Sequence, residues 1–115
     1  MIDLNELCKV SLANATQRQK NGGNIKTDTH SMLKHCATEV VEATRAYSYY
    51  EYDACDPLAT NSDEQNLELF ASELADIICC VLIIAGKEGI DIEQAVTDCV
   101  EKNHKRAEGT GASCD

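Results

Sequence analysis

The chain has no Trp, one Phe, four Tyr and one Pro in 115 residues. So few aromatics force any core onto Leu, Ile, Val, Ala and Cys, and so little Pro leaves long helices uninterrupted. The formal charge is −10, from 20 acidic residues against 10 Lys and Arg. That balance excludes a basic surface for the backbone of DNA or RNA, although a metal ion can still bring a small phosphorylated ligand to acidic groups. The seven cysteines contain no C-x-x-C step, so a reduced chain without disulfides or zinc is expected. Cys79 and Cys80 lie in the longest apolar run, Ile77 to Ala85, which is too short to span a bilayer. The first residues carry no basic or long apolar segment, so no signal peptide is expected. The reading is cytoplasmic, with no membrane and no nucleic acid as partner.

No stretch alternates as a strand does, and no internal repeat is evident. Four segments have helical periodicity instead. The first runs from about Asp3 to Lys20, with Asp3 and Glu6 in capping-box positions, and ends at Asn21-Gly22-Gly23-Asn24. The second starts near Thr27 to Thr29 and continues to about Tyr52. Asp53 to Asn66 has turn composition and is expected to be a long loop. The third runs from about Glu64 or Asn66 to Lys87, becomes apolar all round after Asp76, and is broken by Gly86 and Gly89. A helix apolar on every side needs burial on every side, so its second half is expected to be a subunit interface. Asp91 caps the last helix, which runs from Ile92 to about Arg106. The expectation is an all-α four-helix bundle, completed by oligomerisation, with one domain over residues 1–106 and a flexible tail over 107–115.

Two carboxylate pairs stand at the same spacing inside this pattern, Glu39-Val-Val-Glu42 and Glu73-Leu-Ala-Asp76. Residues three apart share one face of a helix. Each pair therefore projects two carboxylates in one direction, beside the apolar stripe. Four converging acids repel one another unless a cation sits among them, and oxygen-rich sites of this kind suit Mg²⁺ or Mn²⁺. On spacing alone, solvated acids flanking a core are the reading that stands ahead. His35, one turn before Glu39, reads as a surface histidine.

The flanking residues add specificity. Glu39-x-x-Glu42, Glu73-Leu74-Ala75-Asp76, the turn Gly89-Ile90-Asp91 and the ending Lys102-Asn103-x-x-Arg106 occur in this order. In this the chain resembles the MazG-like all-α nucleoside triphosphate pyrophosphohydrolases, from about Leu33 to Arg106. The resemblance implies a Mg²⁺-dependent homodimer or homotetramer that cleaves a nucleoside triphosphate between the α- and β-phosphates. It implies that Glu39, Glu42, Glu73 and Asp76 are both the metal ligands and the catalytic groups. Lys102, Asn103 and Arg106 match the family's phosphate-side residues, where cations and an amide can bind phosphate or sugar oxygens.

Three departures from the family pattern stand out. Many relatives have a further Glu where this chain has Thr38. The spacer from Ala43 to Ser72 is 30 residues long, longer than in many relatives. Relatives often place base-stacking aromatics after the first helix, where this chain has Lys20-Asn21-Gly22-Gly23; Tyr47, Tyr49, Tyr50 and Tyr52 are candidates to replace them. A non-catalytic nucleotide- or metal-binding oligomer and a phosphoribosyl-ATP pyrophosphohydrolase are the alternatives that these departures leave open.

Overall fold

The computed structural model describes residues 3–24 and 26–109, and these contain helices, turns and loops but no strand. Four helices follow in order, α1 (Leu4–Lys20), α2 (Thr29–Ala54), α3 (Asp63–Glu88) and α4 (Ile92–Ala107). Each begins at a side chain that accepts from a first-turn N–H: Asp3 from Glu6, Asp28 from Ser31, Ser62 from Gln65 and Asp91 from Gln94. These groups satisfy donors that a helix start leaves unpaired. Only Ser62 and Gln65 complete a reciprocal capping box. The cap at Ser62, together with the extension of α2 to Ala54, shortens the loop expected over Asp53–Asn66 to residues 55–62.

α2 and α3 form a long antiparallel pair. At one end the Thr29 hydroxyl donates to Glu88 at 2.6 Å, and at the other the Asn66 amide donates to Asp53 at 2.8 Å. α1 lies along the same partner, and the main core is Ala15 from α1, Met32 from α2, and Cys80 and Ile83 from α3. A second cluster joins Cys8 of α1 to Leu82 and Ala85 of α3. α3 is thus the central helix, and its second half is partly buried within one chain.

Gly86 does not break α3. A Cβ there would come within 2.9 Å of the Cys8 carbonyl oxygen, so this glycine lets the backbones of α1 and α3 touch. The break falls at Gly89, whose φ of 67° is the left-handed conformation that closes a helix and favours glycine.

α4 is joined to the start of α1 by reciprocal capping. Asn5 accepts from the Ile92 N–H at 3.1 Å, while Glu93 accepts from the Leu4 N–H at 2.9 Å. No residue of α4 is buried. The helix projects away instead of closing a bundle within the chain, and the radius of gyration is 17.5 Å where about 13 Å is usual for this length. Leu74, Ile78 and Val81 on α3 and Val96 and Val100 on α4 remain exposed. By length and composition alone an 18-residue stretch of α3 is long and apolar enough to cross a membrane, a property that core helices share. Ala107 ends α4, and residues 110–115 of the expected tail lie outside the described residues.

Candidate metal centre

Glu39 occupies the core stripe of α2 itself, whereas Glu42 and Glu73 lie at the borders of the α2 and α3 stripes and Asp76 is exposed. On α2 the buried positions are Met32, Glu39 and Ala43, so Glu39 stands one heptad after the most deeply packed side chain of that helix. On α3, Glu73 lies one heptad from both Asn66 and Cys80, which are buried. Seven residues are close to two helical turns and keep one face. The register that packs Met32 and Cys36 near Cys80 and Ile83 therefore also turns Glu39 and Glu73 toward each other.

Glu39, Glu42 and Glu73 each place a carboxylate oxygen within 4.8 Å of the others. Glu39 is buried, and the Oε2 atoms of Glu39 and Glu73 are both buried without a hydrogen-bond partner. A buried carboxylate oxygen without a donor is costly. Burial raises the Glu39 carboxyl above its ordinary range, and the Glu42 charge and a side-chain hydrogen bond with Glu42 raise it further, with His35 opposing. Glu73 is raised by burial first, then by the charges of Glu42 and Asp76. Asp76 stands outside the close group of three, yet its charge acts on both Glu39 and Glu73. The four acids form one electrostatic unit. Hard oxygen donors with unsatisfied buried atoms are the donor set a divalent cation takes, so the residues fit one.

Two clefts open from this cluster. The first, of about 540 Å³, lies between α2 and α3 and includes Glu42, Arg45, Tyr49, Asp53, Asn61 and Glu73 in its walls. The second, of about 300 Å³, faces α1 and brings Arg18 and His35 beside Glu39 and Asp76. His35 is no isolated surface histidine, since its Nε2 lies 3.1 Å from Glu39 Oε1.

Lys102, Asn103 and Arg106 line neither cleft. The acids lie level with the C-terminal end of α1, near Arg18, whereas α4 departs from the N-terminal end of α1, at Leu4 and Asn5. The cations that one chain does bring to the cluster are Arg18 and Arg45, which sequence pattern alone did not single out. Arg18 reads as ordinary positive charge in a helix's last turn, and Arg45 has no motif around it. Among the tyrosines, Tyr47 packs against Phe70 at 5.1 Å and Tyr50 at 5.7 Å, while Tyr49 opens onto the first cleft.

A family model described as the MazG nucleotide pyrophosphohydrolase domain matches residues 27–110. That span takes in both acidic pairs and α4, and leaves α1 outside. No curated protein and no solved structure matches the chain.

Proposed function

Because the chain belongs to the MazG nucleotide pyrophosphohydrolase family, we propose that it hydrolyses a nucleoside triphosphate between the α- and β-phosphates, releasing the monophosphate and pyrophosphate. The observation that carries this reading is the close trio of Glu39, Glu42 and Glu73 with two orphaned, buried oxygens. Those three and Asp76 are the proposed ligands for Mg²⁺, with Mn²⁺ as the substitute. When bound, the cation neutralises triphosphate charge and polarises the phosphorus under attack.

The chain's own groups account for the remaining requirements. In this reading Asp76, which lies outside the trio and lines the cleft at α1, orients the attacking water and accepts its proton. Arg18 and Arg45 flank the acids on opposite sides, where guanidinium groups can hold phosphate oxygens. Lys102, Asn103 and Arg106 keep their phosphate-side role in this proposal through a second copy of the chain. α4 packs mainly on α1 and buries none of its residues, and in this reading its end completes a neighbour's site. The exposed apolar residues of α3 and α4 supply the surface for such a dimer or tetramer, and the compartment proposed for it is the cytoplasm.

The test is to incubate the full chain with Mg²⁺ and a panel of ribo- and deoxyribonucleoside triphosphates and to measure pyrophosphate. Release from at least one of them, lost on omission of the metal, is expected. Folded protein that binds nucleotide and metal but releases nothing would identify a binding protein instead.

A further inference from the structure

The cleft between α2 and α3 contains a polar relay that the metal centre does not use. Asn66 is only 2% exposed and is one of the two largest fully buried side chains among the described residues. Its amide nitrogen donates to Asp53 Oδ2 at 2.8 Å, and its carbonyl oxygen accepts from the Asn61 amide at 3.3 Å. The direction of this chain is settled by chemistry, since a carboxylate only accepts. Asp53 compels Asn66 to present its nitrogen, and Asn66 then compels Asn61 to do the same. What remains for a ligand is the second carboxylate oxygen of Asp53, which only accepts, and on Asn61 the carbonyl oxygen and one amide N–H.

The position of this relay matches one end of a nucleotide. Asn66 precedes Glu73 by two turns on the same face of α3, about 10 Å along the axis. Glu42 and Glu73 therefore wall one end of the cleft, and Asp53, Asn61 and Asn66 the other. Between them Tyr49, 58% exposed and two turns after Glu42, offers a ring face, and aromatic faces stack on bases of any identity. Stacking holds a base without choosing it; hydrogen-bond polarity chooses.

We propose that this cleft is the base subsite, with Tyr49 stacking on the base and Asp53 and Asn61 accepting hydrogen bonds from an exocyclic amino group. The inference rests on the nucleotide reading above and deepens it. Cytosine, adenine and guanine carry such a group; uracil and thymine present a carbonyl where cytosine carries it, and that carbonyl would face the Asp53 carboxylate, which has no hydrogen to donate. Asn66 is buried and holds Asp53 in place, and an acceptor arranged in advance discriminates because the wrong base leaves polar atoms unpaired. Asn66 is a positioning residue, acting only through Asp53 and Asn61.

The experiment is calorimetric binding of dCMP and dUMP to the full chain with Mg²⁺, alongside turnover of dCTP, dATP, dGTP, dUTP and dTTP. dCMP is expected to bind about 10- to 100-fold more tightly than dUMP. In Asp53→Asn and Asn61→Ala the preference should shrink at least several-fold, with the unfolding temperature checked to exclude misfolding. Equal binding of dCMP and dUMP by the wild type overturns the subsite, as does a preference that survives in both variants. Tyr49→Ala should weaken dCMP and dUMP alike; no effect on either removes the stacking role. If no triphosphate is turned over while the dCMP preference holds and both variants lose it, the hydrolase reading fails and the subsite stands.

Discussion

Glu39 on α2 and Glu73 on α3 bring carboxylate oxygens within 4.8 Å of each other across the helix pair, and the Oε2 atom of each is buried without a hydrogen-bond partner. The protein thus holds like charges together in its own core. Such an arrangement weakens the metal-free fold and is relieved by a cation.

The first prediction concerns pH. Both carboxyls are raised above their ordinary values, first by burial. An acid with a raised folded-state value favours the folded state most below its unfolded value, and that contribution is lost as pH rises through the folded one. The acid cluster should therefore make metal-free protein melt lower at pH 7.5 than near pH 5. Mg²⁺ at 100 times its dissociation constant should restore about 2.7 kcal/mol at pH 7.5. Thermal melts in chelator and in Mg²⁺ at the two pH values check this; identical melting temperatures in all four conditions would refute it.

Glu39→Gln should separate fold from function. Removing one charge from the cluster raises the metal-free melting temperature at pH 7.5, while the stabilisation by Mg²⁺ shrinks and pyrophosphate release falls. A variant less stable than wild type in chelator, with its response to Mg²⁺ intact, would show that the cluster is not a metal site.

Glu42→Gln and Asp76→Asn should each reduce pyrophosphate release by about 100-fold or more, with helix content unchanged by circular dichroism. Full activity in either would remove that residue from the proposed site.

Subunit complementation tests the placement of α4. Arg106→Ala and Glu42→Gln homo-oligomers should each be nearly inactive, and mixing them after partial unfolding and refolding should recover activity, since some sites then receive both intact residues. Light scattering should give a multiple of 12.6 kDa for the wild type and a smaller assembly for Ile78→Lys, which alters an exposed apolar position. A monomeric, fully active wild type would exclude the shared site.

Gly86→Ala should destabilise the fold although alanine is the better helix former by about 1 kcal/mol. The added Cβ meets the Cys8 carbonyl oxygen at 2.9 Å, and overpacking of this kind costs roughly 1–3 kcal/mol. Denaturant unfolding measures the net change; a more stable variant would mean that α1 and α3 can move apart at no cost.

Much of the fold was legible in local chemistry. Asp3, Asp28 and Asp91 start helices because short side-chain acceptors fit unpaired N–H groups, and that is a property of adjacent residues, whereas Ser62 caps α3 from within the stretch expected to be loop. Gly86 and Gly89 were not separable by sequence. Both read as breakers, and only the approach of Cys8 shows that the first is a contact and the second a stop. His35 likewise reads as surface until the rotamer that meets Glu39 is seen.

By itself the sequence determined the helical class, the family and the two carboxylate pairs, because helical period and capping depend on neighbours within a few residues. Tertiary structure decided which of those acids meet. Antiparallel packing of α2 on α3 puts Glu39, Glu42 and Glu73 at one level and leaves Asp76 beside Arg18 and His35. It also decided that α4 leaves from the far end of α1, and that Asp53, Asn61 and Asn66 form one directed relay. Those relationships depend on the register between helices, which is fixed by how side chains from distant segments fill one another's spaces.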